Sequence, residues 1–181
     1  MYNNCRLFES ESEDVILDLN LLPVLNFEGK HLPIDVSVEL PCRKGDGFRI
    51  LEPIPVKGEV CNVGGCLELS LDGTAKMETL CDRCAEAFVT EVPFRAFEVI
   101  KKETPDSVED TDEDVILLTG SSIVLEDIIY SALILHLPAK MLCKEDCKGI
   151  CPVCGKNRNT DVCKCEAETT DPRFDVLDQL L

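Results

Sequence analysis

Residues 143–165 read CKEDCKGICPVCGKNRNTDVCKC and hold six of the chain's twelve cysteines. They fall as Cys143-x3-Cys147, Cys151-x2-Cys154 and Cys163-x-Cys165, with lysines and an arginine between them. Upstream, Cys81-Asp-Arg-Cys84 forms a further tight pair. Paired soft ligands at such spacings build tetrahedral thiolate metal sites, because one turn of backbone supplies two of the four directions. The eight thiols suffice for two four-cysteine sites. The window has few large apolar residues, so a metal rather than a core is expected to order it. A structural zinc ion is worth about 10–16 kcal/mol, comparable to the about 5–15 kcal/mol net stability of an ordinary domain.

Two partitions follow from the spacing. The preferred one groups Cys81, Cys84, Cys143 and Cys147, and separately Cys151, Cys154, Cys163 and Cys165. Its rival joins Cys143, Cys147, Cys151 and Cys154, leaving Cys81 and Cys84 to meet Cys163 and Cys165. A single site is a third arrangement, so the sequence predicts one or two structural zinc ions. Lys144, Lys148, Lys156, Arg158 and Lys164 lie among these ligands, and Arg83 lies inside the upstream pair. They either offset thiolate charge or contact a partner, RNA phosphate included. Cys5, Cys42, Cys61 and Cys66 lack such spacing and read as free thiols.

Outward from this window, the first hundred residues read as strands. Ile34, Val36, Val38 and Leu40 alternate with Asp35, Ser37 and Glu39, the period of a half-buried strand. Val15–Leu21, Phe48–Leu51, Val56–Val63 and Phe88–Ile100 are further candidates, with Pro93 marking a bend. Cys66–Leu71 and Thr74–Leu80 flank Asp72-Gly73, which predicts a two-residue hairpin. Val115–Leu118 adds a short strand. A helix over Leu125–Leu135, acidic in its first turn and apolar around most of its circumference, predicts a buried helix that ends at Pro138. Asp171-Pro172 begins a last short helix carrying Phe174, Leu177, Leu180 and Leu181. The expected fold is α+β. Residues 1–102 form an antiparallel, β-rich body, barrel-like or sandwich, and residues 115–140 complete it. Residues 103–114, ETPDSVEDTDED, form a solvated acidic loop. Residues 141–181 form the cysteine-rich zinc module with its terminal helix.

Composition narrows the function. The 35 acidic against 18 basic residues give a formal charge of −17, which repels nucleic acid at the scale of the whole chain and favours a basic protein partner. Any RNA contact must be local. No stretch has the apolar run of a signal peptide or a spanning helix, so a soluble cytoplasmic protein is expected, in a compartment where clustered cysteines bind metal rather than cross-link. A catalytic zinc is disfavoured, because the only histidines, His31 and His136, lie outside the cysteine window. A dithiol oxidoreductase using Cys81 and Cys84 would need a thioredoxin-like setting, whereas their flanks read as strands. No phosphate-binding glycine loop or nucleophile elbow is present. The expectation is a binding protein, not an enzyme.

The order of motifs resembles the YceD family, the large ribosomal RNA subunit accumulation proteins. The resemblance rests on Cys81-Asp-Arg-Cys84, then Leu135-His-Leu-Pro138, Cys143 to Asn159 with its CPVCG core, Cys163-Lys-Cys165 and Asp171-Pro-Arg173. It implies a non-enzymatic factor needed for 23S ribosomal RNA to accumulate, working in large-subunit assembly through that RNA or a basic ribosomal protein. In this chain Arg158 stands where relatives usually carry an apolar residue, and Ser131 where they commonly carry an acid. A cytosolic dithiol redox protein and a zinc-stapled adaptor unrelated to ribosomes are the alternatives.

Overall fold

Apolar residues recurring at every second position persist through most of the body. The computed structural model, which describes residues 17–43, 45–102 and 115–165, assembles them into a six-stranded sheet. The chain runs β1 (Asp18–Asn20), α1 (Leu22–Leu25), β2 (His31–Val38), β3 (Phe48–Ile50), β4 (Ile54–Val63), β5 (Cys66–Leu80), β6 (Ala87–Lys102), β7 (Val115–Leu118), β8 (Ser122–Val124) and α2 (Leu125–His136). The strand order is β2-β4-β5-β6-β7, with β3 on the remaining length of β5, while β1 and β8 form a separate two-stranded ribbon. The inner face presents Ile34, Val56, Val60, Leu69, Leu71, Met77 and Phe94, and these share one core with Leu125, Ile129 and Leu133 of α2.

The α+β class and the sheet-rich body match the sequence reading, but the closed shape does not. The sheet is open, because β2 at one end and β7 at the other do not pair. Nor is it antiparallel throughout, since β7 runs parallel to β6 from Val99↔Val115 to Lys102↔Leu118. Its open faces are managed by α2 and by charge. Across the outer face, Lys57 meets Asp35 and Arg95 meets Asp72.

The Asp72-Gly73 hairpin is also corrected. Those residues lie inside β5, which continues straight through them, and the turn falls instead at Gly64-Gly65, both at positive φ, between Val63 and Cys66. The physical reason is packing. Gly73 stands opposite Phe94, whose ring would lie 2.5 Å from a Cβ there, so the glycine makes room for a buried aromatic rather than for a turn. Pro93 likewise sits within an unbroken β6, opposite Thr74, on a length of the strand that β7 does not reach. That is the edge position at which a sheet tolerates proline.

Helix α2 begins with Glu126 and Asp127 in its first turn, as carboxylates at the positive end of the dipole should be. Glu126 Oε1 also accepts the backbone N–H of Leu17, tying the helix to the start of β1. Its C-cap Leu137 is extended, the conformation that a following Pro138 imposes. The helix is not buried all round. Leu125, Ile128, Ile129, Ala132 and Leu133 face the core, whereas Ile134 is 39% and Leu135 83% exposed. The acidic segment 103–114 and the helix expected after Asp171 lie outside the described residues.

Candidate metal centres

Strands β5 and β6 pair continuously from Leu67↔Ile100 to Leu80↔Ala87, so the loop that joins them, Cys81–Glu86, carries the Cys81 and Cys84 pair. This places two thiols at the tip of the longest ribbon in the molecule. The chain leaving α2 then passes that tip and delivers Cys143 and Cys147. The four sulfurs of Cys81, Cys84, Cys143 and Cys147 all lie within 4.8 Å of one another, with Cys81–Cys147 at 3.8 Å and Cys84–Cys143 at 3.7 Å. A second group, Cys151, Cys154, Cys163 and Cys165, meets the same limit, with Cys154–Cys163 at 3.7 Å. A tetrahedron with metal–sulfur bonds of about 2.3 Å has edges of about 3.8 Å. Both clusters therefore fit a four-thiolate ion, and all eight of these cysteines are free thiols. The preferred grouping is the one formed; the rival set of Cys143, Cys147, Cys151 and Cys154 is not.

The two Cys-x2-Cys turns share one backbone pattern. In the first, Cys81 N–H donates to Glu86 O at 2.9 Å and Ala85 N–H to Cys81 O at 2.8 Å. In the second, Cys151 N–H donates to Lys156 O and Gly155 N–H to Cys151 O, each at 2.8 Å. The fifth residue of each turn is left-handed, Ala85 at φ 57 and Gly155 at φ 70. Such turns aim N–H groups at the sulfurs. Burial alone would raise the Cys81 thiol, but the backbone N–H groups of Cys143, Cys84 and Arg83 bring it down to about 6. Those of Cys154 and Val153 do the same for Cys151, also to about 6. Within the same clusters, burial and hydrogen bonds to Cys81, Cys84 and Cys147 push Cys143 up to about 12, and Cys154 and Cys163 push Cys165 up to about 12. Within each cluster backbone N–H groups favour the thiolate at some positions while burial and neighbouring thiols disfavour it at others, and a divalent cation held by all four would favour the thiolate throughout.

Three residues that are not ligands hold the centres together. Asp82 clasps the incoming chain at both ends of one residue, its N–H donating to Met141 O at 2.8 Å and its carboxylate accepting Met141 N–H at 2.6 Å. Arg83, read from sequence as a charge offset, donates to the carbonyls of Cys147 at 3.0 Å and Glu145 at 3.3 Å, and its own carbonyl accepts Ile150 N–H. Asn159 belongs to the loop of the second cluster but serves the first. Its amide donates to Cys147 Sγ at 3.3 Å, which helps lower that thiol against the burial that raises it, and its oxygen accepts Lys148 N–H at 2.9 Å. The clusters are thus two centres of one unit, anchored to the β5–β6 tip.

They differ in depth. Cys81, Cys84 and Cys147 are buried and Cys143 half-buried, whereas Cys154 and Cys165 are exposed. The candidate contact residues Lys144, Lys148, Lys156, Arg158 and Lys164 are all exposed, and none forms an ion pair with another described residue. His31 and His136 lie away from both clusters, His136 bonding Ala132 O. Cys61 and Cys66 are half-buried free thiols, but Cys42 is disulfide-bonded, which corrects its reading as free. Cys5 lies outside the described residues.

Fold and site together define a β-sheet protein whose carboxyl-terminal part is built around two four-cysteine clusters able to hold metal. No helix among the described residues is long and apolar enough to cross a membrane. Residues 67–181 match the family described as large ribosomal RNA subunit accumulation protein YceD, and the chain belongs to that family. The match begins at the second residue of β5 and takes in all eight clustered cysteines. Searches of curated proteins and of solved structures found no match.

Proposed function

We propose that this protein is a non-enzymatic assembly factor of the large ribosomal subunit, acting in the cytoplasm and supporting 23S ribosomal RNA accumulation by binding. Zinc is its resident metal, one ion in each four-cysteine centre, and its role is structural. Four protein ligands leave a tetrahedral ion no open position for substrate, which suits a scaffold better than a reaction. The Cys81–Cys84 turn joins two strands rather than opening a helix, and its thiols sit against Cys147 and Cys143, an arrangement that disfavours the dithiol redox alternative.

The observation that carries the RNA reading is the set of five exposed bases, Lys144, Lys148, Lys156, Arg158 and Lys164, free of carboxylate partners among the described residues of a chain with charge −17. Held on a metal-ordered scaffold, they offer RNA phosphate a local contact that the global field does not. The net charge itself favours a second reading, in which the acidic body shields a basic ribosomal protein until delivery. Gradient sedimentation of cell extracts tests the common claim: the chain should travel with immature large subunits, and confinement to the top fractions would contradict it. Titrating purified protein with large-subunit RNA across salt then separates the two modes. Five phosphate contacts give a log–log salt slope of about −3.5 at most for single strands. Binding to a basic ribosomal protein with no affinity for RNA would select the second.

A further inference from the structure

Away from the metal centres, the register of β2 and β4 assembles a cluster that neither the metal sites nor the family match accounts for. His31 stands directly opposite Cys61, and Glu59 lies two residues along β4 from Cys61 on the same outward face. Glu59 Oε2 lies 3.0 Å from His31 Nδ1, and Cys61 Sγ lies 3.6 Å from His31 Nε2. A carboxylate only accepts hydrogen bonds, so it holds the imidazole proton on Nδ1. That leaves the Nε2 lone pair facing the thiol. The order thiol–imidazole–carboxylate is the one that activates a cysteine nucleophile.

We propose that Cys61 is a reactive thiol that forms mixed disulfides with small-molecule disulfides, with His31 as the base that takes its proton. The surroundings choose the chemistry. The His31 and Glu59 side chains are 57% and 52% exposed on the edge of the sheet, so no described residue encloses a substrate or an oxyanion, and acyl transfer is poorly served. Disulfide exchange needs only a thiolate and a clear line of approach. In the step, the Cys61 proton passes to His31 Nε2 and the thiolate attacks one sulfur of the incoming disulfide. A new sulfur–sulfur bond forms as the old one breaks, and the departing thiolate takes the proton from His31. No net oxidant is needed beyond the disulfide itself. Glu68, opposite Cys61 on β5, adds negative charge to the same face, so neutral or cationic disulfides are preferred to anionic ones.

Cys66 supplies an internal control. It lies on the same face, is also half-buried and free, and sits diagonally from Cys61 across the pair Val63↔Cys66. Diagonal partners are about 7–8 Å apart, too far to close a disulfide without backbone movement, so the adduct on Cys61 persists. The test treats the full metal-loaded chain with bis(2-hydroxyethyl) disulfide at neutral pH and follows each cysteine by peptide mass spectrometry. Cys61 should form the mixed disulfide at least about ten-fold faster than Cys66, and His31→Gln should bring it to within about two-fold of Cys66 while the Cys66 rate stays fixed. Equal rates in the unmodified chain would overturn the proposal, as would a Cys61 rate indifferent to His31→Gln. An altered Cys66 rate in the variant would mean that the sheet edge had been disturbed, and His31→Asn then serves as the second substitution, held to the same two criteria.

Discussion

Ala85 and Gly155 occupy equivalent left-handed positions in two turns that are otherwise the same, and only one of them is a glycine. A side chain at positive φ costs about 1–2 kcal/mol, partly returned by the smaller entropy of an alanine in the unfolded chain. Ala85→Gly should therefore leave the protein as stable or stabilise it by up to about 1 kcal/mol. Gly155→Ala should destabilise the metal-loaded second centre by about 1 kcal/mol or more, and urea unfolding of the two variants checks both signs. Asn159 gives a sharper residue-level test. Replacing its amide with a carboxylate in Asn159→Asp removes a donor to Cys147 Sγ and sets a negative charge beside a thiolate. Groups that support a ligand in this way change metal affinity by about 10- to 100-fold, so chelator competition should show weakened retention at the first centre, although Asn159 lies in the loop of the second. Residues of this kind were the least legible from sequence. Cysteine spacing exposes ligands, because chemistry and turn geometry both demand it. Nothing in the local sequence says that Asn159 or Arg83 will reach across to a partner brought near only by tertiary folding.

At the scale of elements, the contrast in burial between the centres has a kinetic consequence. The second centre exposes Cys154 and Cys165, while the first keeps Cys81, Cys84 and Cys147 buried at the β5–β6 tip. Metal should leave in two phases under chelator, the faster one freeing Cys151, Cys154, Cys163 and Cys165 to alkylation while Cys81 and Cys84 stay protected. Release in a single phase, or first from Cys81 and Cys84, would oppose this. In α2, Leu133 is fully buried, and Leu133→Ala should cost about 2–5 kcal/mol, whereas Leu135→Ala on the exposed side should stay near neutral in thermal melts. Sequence alone located α2, β2 and most of β4 to β6, because apolar period, an acidic first turn and a terminating proline speak locally. It misplaced the turn because Asp72-Gly73 and Gly64-Gly65 both carry hairpin chemistry. The deciding signal was phase: Leu67, Leu69, Leu71, Ala75 and Met77 stay buried on one face straight through Gly73. A turn there would have broken that alternation.

For the molecule as a whole, the open sheet and the parallel pairing of β7 with β6 were not legible, since both depend on which distant strands meet rather than on what each strand contains. The division of labour was legible. A hydrophobic core holds the sheet and α2, and Cys143 and Cys147, beyond Pro138, cluster with Cys81 and Cys84 at the β5–β6 tip. Charge is divided as well, with a −17 whole bearing five exposed bases beside the two centres that form no ion pair among the described residues. Under the proposed RNA-binding mode, reversing Lys156 and Arg158 to glutamate should remove most of the affinity while leaving the fold intact, and neutralising one base should flatten the salt slope by about 0.7.

All of this depends on metal coordination organising the carboxyl-terminal part. Native mass spectrometry of the full chain measures it directly. Two zinc ions per chain are expected, falling to one in Cys163→Ser with the first centre still filled. A folded chain carrying no metal, with Cys151, Cys154, Cys163 and Cys165 alkylating as fast as ordinary free thiols, would contradict it.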